Sequence, residues 1–198
     1  MFYINVRERK NLDAKIQAPF VMAEIRALRS SIFKSSPEVQ RALAIATEVE
    51  KKYDLSRADL FIPALETFCA ILDPLSGSLL SGTVRRAGYE IFPQLVSILG
   101  IPHANVKTVM GIKDASDVVK VVSDRYAECV LGSDAGALTY VDTNFGMTVT
   151  DTTIVPCQLN IGVYFGAGKL TGLFRENALV ERRCRGKGDP ACTYDFMF

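Results

Sequence analysis

Apolar residues recur at three- and four-residue steps through the first half of the chain. Through much of the second half they fall at alternate positions. Val21, Ile25, Leu28 and Ile32 line one face of a helix over Val21–Phe33. Ser36-Pro37-Glu38 is a helix start, with Ser36 as the cap and Pro37 in the first turn. Val39, Leu43, Ala46 and Val49 carry that helix on one apolar face to about Tyr53, while Arg41, Glu48, Glu50 and Lys51 mark its solvated face. Pro63–Leu72 predicts a short buried helix stopped by Asp73-Pro74. Ser78–Leu99 predicts a longer helix, kinked at Pro93.

The period then changes. Val106–Ile112 predicts a strand. Ser116–Tyr126 predicts a short helix with Val118, Val119 and Val122 inward, although its valines also suit a strand. Glu128–Gly132, Leu138–Asp142 and Met147–Val155 read as strands between Gly, Asp and Asn turns. Cys157–Phe174 reads as a helix. Ala178–Cys184 and Ala191–Phe198 read as a hairpin hinged on Gly186, Gly188 and Asp189-Pro190. Helices first and strands later predict an α+β fold, with N-terminal helices packed on an antiparallel sheet. Residues 1–55 read as a helical arm and residues 56–198 as the main domain. The amphipathic stretch Val21–Tyr53 precedes that domain and predicts pairing with a second copy, a two-fold homodimer.

Composition narrows the function classes. A chain of 198 residues with 48% hydrophobic content can bury a real core. A net charge of +1, from 23 basic and 22 acidic residues, gives no electrostatic case for nucleic acid or an anionic membrane. No apolar run reaches the roughly 18 residues a membrane helix needs. The richest stretch, Leu60–Leu72, is interrupted by Pro63 and Glu66. Met1-Phe2-Tyr3-Ile4-Asn5-Val6-Arg7-Glu8 lacks a basic region followed by an apolar one, so a cytoplasmic location is expected.

The candidate chemistry lies at the C-terminal end. Cys157, Glu181, Cys184 and Cys192 form a set of three thiols and one carboxylate. Such a set suits a tetrahedral zinc ion, and four protein ligands leave no open position for catalysis. The hairpin brings Cys184 and Cys192 together at its neck. Glu181 and Cys184 are three apart, so on a regular strand they face opposite sides. An irregularity near Arg182-Arg183 is therefore expected. Cys157 follows Pro156 at a helix start, where the helix dipole favours a thiolate. Core packing of all three cysteines is the alternative, and a Cys184–Cys192 disulfide a further one. Cys69 and Cys129 have no partner spacing and read as core.

The helix after Cys157 carries Gly162, Gly166, Gly168 and Gly172. Each glycine costs a helix about 1 kcal/mol relative to alanine, so they serve something else. They permit either close packing or a small-molecule pocket walled by Tyr164 and Phe165. His103, the single histidine, follows a helix in Gly100-Ile101-Pro102-His103-Ala104. It reads as a loop or capping residue, with a ligand contact as the alternative. No phosphate loop and no dinucleotide fingerprint is present; Gly166-Ala167-Gly168 lies mid-helix rather than between strand and helix.

The run Pro156-Cys157, Gly162 to Gly172, Val180-Glu181-Arg182-Arg183-Cys184 and Gly188-Asp189-Pro190-Ala191-Cys192-Thr193-Tyr194 resembles a 4-vinyl reductase domain. The close match covers about residues 130–198; upstream only Gly82-Thr83-Val84-Arg85-Arg86-Ala87-Gly88 matches, loosely. The resemblance implies a fold shared with the ligand-binding domain of nitric-oxide signalling and with Golgi transport (TRAPP) subunits. It also implies zinc at Cys157, Glu181, Cys184 and Cys192, as in aromatic-effector sensor domains. Those sensors use a His and a Trp on phenols, and this chain has no Trp. The first expected function is a non-catalytic module that binds an apolar or aromatic small molecule and signals through a protein partner. The second is an enzyme or accessory subunit of tetrapyrrole or other cofactor metabolism. The third is a TRAPP-like assembly subunit. The fold class alone does not decide among them.

Overall fold

A computed structural model describes residues 13–30, 35–75 and 81–198. After a short strand, two helices follow: α1 (Ala18–Ser30) and α2 (Pro37–Lys52). Ser36 caps α2 as expected, its hydroxyl accepting from Val39 N at 3.2 Å. A π-turn at Leu65–Cys69, α3 (Ala70–Leu72) and a 3-10 turn at Asp73–Leu75 form the buried short helix, which runs through Asp73-Pro74 rather than stopping there. The long helix α4 (Ser81–Ile98) holds Pro93 in its interior. Phe33 and Ser78, where sequence patterning sets two helix boundaries, lie outside the described residues.

The second half supplies α5 (Val106–Val109), α6 (Ala115–Cys129) and α7 (Cys157–Thr171). Helix α6 settles the helix-or-strand alternative. Asp114 and Asp117 form a reciprocal capping box, and Val118, Val119 and Val122 face inward. The predicted strand over Val106–Ile112 is instead α5 and a turn. Met110 N donates to Val106 O at 3.0 Å and Ile112 N to Lys107 O at 2.8 Å, so local bonds take the backbone groups a sheet would need. Gly111 closes this turn at φ 68°.

Two antiparallel sheets are present among the described residues. The smaller has the order β2-β1-β3, from β1 (Lys15–Gln17), β2 (Phe61–Pro63) and β3 (Val130–Leu131). Glu128 and Cys129, assigned to a strand by pattern, are the last turn of α6. The larger sheet has the order β4-β5-β7-β6, from β4 (Leu138–Thr143), β5 (Gly146–Asp151), β6 (Leu179–Arg183) and β7 (Cys192–Met197). Its inner face takes alternate residues, Met147, Val149 and Asp151 from β5 and Cys192, Tyr194 and Phe196 from β7. Helix α7 packs on that face. The Tyr164 ring meets Phe196 edge-on at 4.9 Å and Tyr194 at 6.4 Å.

Helix α4 lies on α7, and α1 on α4. The described part of residues 1–55 therefore shares the core of the rest: β1 is the central strand of the smaller sheet, and Val21, Ile25 and Leu28 are buried. The apolar face of α1 assigned by sequence to a second copy is covered within the same chain. The surface on which a homodimer was expected is thus internal at α1. No described helix is long and apolar enough to cross a membrane.

Candidate metal centre

Three elements carry the cysteines. Cys157 is the first residue of α7, Cys184 follows β6, and Cys192 opens β7. The turn between Cys184 and Cys192 is tightly made. Lys187 N donates to Cys184 O at 2.8 Å, Cys184 N donates to Asp189 Oδ2 at 2.9 Å, and Gly188 takes φ 98°. The expected strand irregularity is present. Glu181 pairs with Tyr194 and Arg183 with Thr193, so Arg182 is an extra residue, a bulge that re-aims the strand before Cys184.

The three sulfurs lie within 4.8 Å of one another, and Cys157 Sγ is 3.3 Å from Cys184 Sγ. Sulfurs around a tetrahedral zinc stand about 3.8 Å apart at the usual Zn–S length. The cluster brackets that spacing, and all three are free thiols, 6%, 1% and 0% exposed. The structure thus brings three of the four expected ligands into one group that can hold a metal ion. Glu181 stands outside that 4.8 Å group, on β6. Its Oε1 is buried without a hydrogen-bond partner, while Oε2 faces Lys187 Nζ at 3.4 Å. A buried, unpartnered carboxylate oxygen carries a desolvation cost that a cation offsets. Within the cluster, Cys192 gives up its proton most readily. The hydrogen bond with Cys157, then Arg185, pull its pKa down to about 6. That same contact with Cys192, with burial, pushes Cys157 up, and burial pushes Cys184 up.

A second polar group braces the cluster, and motif reading missed it. Asp151, fully buried, is directly opposite Cys192 across β5 and β7. It accepts from Thr153 N at 2.9 Å, Thr153 Oγ1 at 2.8 Å, Asn160 Nδ2 at 2.9 Å and Tyr194 OH at 2.8 Å. Arg185 reaches it from the hairpin turn at 3.4 Å. The same guanidinium donates to the carbonyl of Thr153 and, at 3.3 Å, to that of Val155. The segment leading to Cys157 is thereby tied to the turn that separates Cys184 from Cys192. The available signal was Arg185 sitting between two candidate cysteine ligands, in a turn rich in glycine and closed by Asp189-Pro190.

The residues expected to line a ligand pocket separate. Gly162 and Gly166 lie against α4, where a Cβ would collide with the carbonyls of Arg85 and Tyr89. Gly88 answers from α4, against the carbonyl of Leu159. The space these glycines leave is filled by backbone, so at Gly162 and Gly166 close packing is what they serve. Tyr164 is a core residue, its hydroxyl 2.9 Å from Ser123 Oγ. Phe165 borders a cleft on the outer side of α7. His103 is exposed, at the start of a 3-10 turn after α4, with Nε2 3.0 Å from Ser97 Oγ. An interior cavity of about 30 Å³ lies between α4, α6 and α7, lined by Phe20, Ile91, Leu95, Met110, Tyr126 and Val163 among others.

No family model matches the chain, and no curated protein matches it. Solved structures do. An H-NOX protein from S. oneidensis in the Fe(II)NO ligation state is 14% identical, covers 87% of this chain and 96% of its own, and superposes with a TM-score of 0.54. The chain has the H-NOX fold. A triple mutant of an H-NOX protein from S. oneidensis, in the Fe(II) state, gives a TM-score of 0.50 at 14% identity over 89% of this chain and 96% of that one. The nitric-oxide-signalling fold expected from the C-terminal motif is thus present, at the level of fold; membership of the 4-vinyl reductase family is not shown.

Among the described residues, no histidine lines the cavity between α4, α6 and α7. The single histidine is exposed and engaged with Ser97, and the cavity between α4, α6 and α7 measures about 30 Å³. Among the described residues, the donor set that could hold a metal ion is the cysteine cluster.

Proposed function

We propose that this chain is a zinc-stapled small-molecule binding or sensing module that acts through a partner protein. The carrying observation is the buried cluster of Cys157, Cys184 and Cys192 beside the unpartnered Glu181 Oε1. Zinc on these four residues is fully coordinated, so its role is to fasten α7 to the β6–β7 hairpin rather than to activate water. The H-NOX fold of the neighbours, one of them solved with nitric oxide on iron, supports a binding role for the scaffold. No residue group besides the cysteines has the form of a reaction centre among the described residues. Ser97 and His103 touch, but the Ser97 hydroxyl already donates to Pro93 O at 2.9 Å and no third group orients the imidazole.

Elemental analysis of the purified chain tests the staple. About one zinc per chain is expected from the four-ligand set. Chelation should lower the melting temperature, and Cys184→Ser should lose both the metal and that response, because binding energy at a structural site is folding energy. Metal-free protein whose melting temperature does not respond to added zinc refutes the reading.

A further inference from the structure

The cleft at the C-terminal end of α7 has the size of a ligand site. It encloses about 310 Å³, lined by Tyr89 of α4, Phe165 and Lys169 of α7, and Phe174, Arg175 and Glu176 of the following segment. Its aromatic wall is held from behind. Gly168 has no side chain because the Phe174 ring occupies that place, and Phe174 stacks edge-on against Phe196 at 5.8 Å. Tyr89 is fixed by the close approach of its backbone to Gly166.

The charges around this wall are unbalanced. Lys169 Nζ and the Arg86 guanidinium both sit over the Tyr89 ring, 5.0 and 4.8 Å from its centre. Arg86 is neutralised by Glu90 at 3.0 Å. Lys169 and Arg175 have no carboxylate partner among the described residues, and Glu176, the one acid on the lining, pairs with neither. A cationic guest would be repelled. Lys169 and Arg175 both border the cleft, so a negative charge in it would meet two cations that have no carboxylate partner among the described residues. Two of the helix-end carbonyls that would oppose an anion, those of Gly168 and Lys169, are already engaged. Gly172 N donates to Lys169 O at 3.1 Å, Leu173 N to Gly168 O at 3.1 Å, and the Thr171 hydroxyl to Ala167 O at 2.8 Å.

We propose that this cleft binds a planar aromatic carboxylate, its ring against Tyr89, Phe165 and Phe174 and its carboxylate between Lys169 and Arg175. This deepens the binding-module reading and rests on it only in that the chain holds a small molecule; the site is separate from the cysteine cluster. Isothermal titration of the full, metal-loaded chain with 2-naphthoate, 2-naphthylmethanol and inorganic phosphate tests it. Naphthoate should bind saturably. The neutral alcohol and phosphate should each bind at least about ten-fold more weakly, the factor lost with one charge-assisted hydrogen bond or with the ring contact. The variant Lys169→Gln/Arg175→Gln should weaken naphthoate binding at least about ten-fold with an unchanged melting temperature, since both side chains are exposed. No naphthoate binding at millimolar concentration, equal binding by the double variant, or phosphate binding as tight as naphthoate overturns the proposal. Zinc content is measured on the same samples, so failure of the cleft is distinguished from failure of the staple.

Discussion

Removing the Asp151 carboxylate should destabilise this protein more than removing any single cysteine contact, and the structure gives the size. Asp151→Ala takes away the acceptor of four hydrogen bonds between 2.8 and 2.9 Å and the counter-charge of Arg185. The donors left behind, on Thr153, Asn160 and Tyr194, are buried and cannot turn to water. Arg185 is left as a largely buried cation whose Nε already lacks a partner, held by the Thr153 and Val155 carbonyls. Breaking a buried pair from one side costs about 3–5 kcal/mol. For a chain of this length that is a fall in melting temperature of very roughly 6–20 °C. Arg185→Met should cost less, about 1–3 kcal/mol, because Asp151 keeps its four neutral donors. The double variant should show a coupling of about 1 kcal/mol or more in a double-mutant cycle. Urea melts of the four proteins, each with and without a chelator, supply every term. Zinc affinity by competition with a chromophoric chelator should fall in both single variants, since each loosens the tie between the segment before Cys157 and the turn between Cys184 and Cys192. An Asp151→Ala variant within about 1 kcal/mol of the wild type, or a coupling near zero, refutes the reasoning.

Two more outcomes are expected from buried groups elsewhere. Glu24 is fully buried on α1 with neither oxygen hydrogen-bonded, and burial holds its carboxyl well above the ordinary value near 4.5. The folded state then keeps a proton that the unfolded chain releases above that value. Stability should therefore fall as pH rises, by about 1.4 kcal/mol per unit until the folded-state pKa is reached. Glu24→Gln should flatten the slope between pH 5 and 7 in urea melts, and an unchanged slope would count against the assignment. Gly166→Ala should cost about 1–3 kcal/mol or more by driving α7 off the Tyr89 carbonyl, whereas a gain in stability from better helix propensity would show that the seam has slack.

Much of the fold was legible because its signals are local. Ser36 with Pro37, and the apolar steps of α1 and α2, are written within one or two turns. The C-terminal hairpin was legible from its glycines and Asp189-Pro190. The bulge at Arg182 followed from a parity argument on Glu181 and Cys184. The smaller sheet was not legible. Its strands Lys15–Gln17, Phe61–Pro63 and Val130–Leu131 are two or three residues long and far apart in the chain, too short for any period to show. Val106–Ile112 misled because β-branched residues suit strands only where a neighbouring strand is available. At the candidate site the thiols could be read from spacing, but the Asp151–Arg185 brace could not. An aspartate at the end of a strand has the same letter whether it faces water in a turn or is sealed beneath a hairpin. The glycines of α7 carried one signal with two meanings, and only the position of α4 separates them.

At Gly88, Gly162 and Gly166 the contact between α4 and α7 is main chain against main chain, with no side chain between. Side-chain interfaces absorb sequence drift by changing rotamers. At these three positions there are no rotamers to change, so tolerance there is set by register. Each residue inserted into or deleted from a helix rotates the remainder of that helix by about 100°. A single-residue insertion between Cys157 and Gly162 would swing both glycines of α7 away from α4 and set side chains against its carbonyls. The length of α7 from its first thiol to Gly166 is thus a fixed dimension of the molecule, measured at one end by the cysteine cluster and at the other by the carbonyl of Tyr89. Homologues that keep both should vary in letters there and not in length.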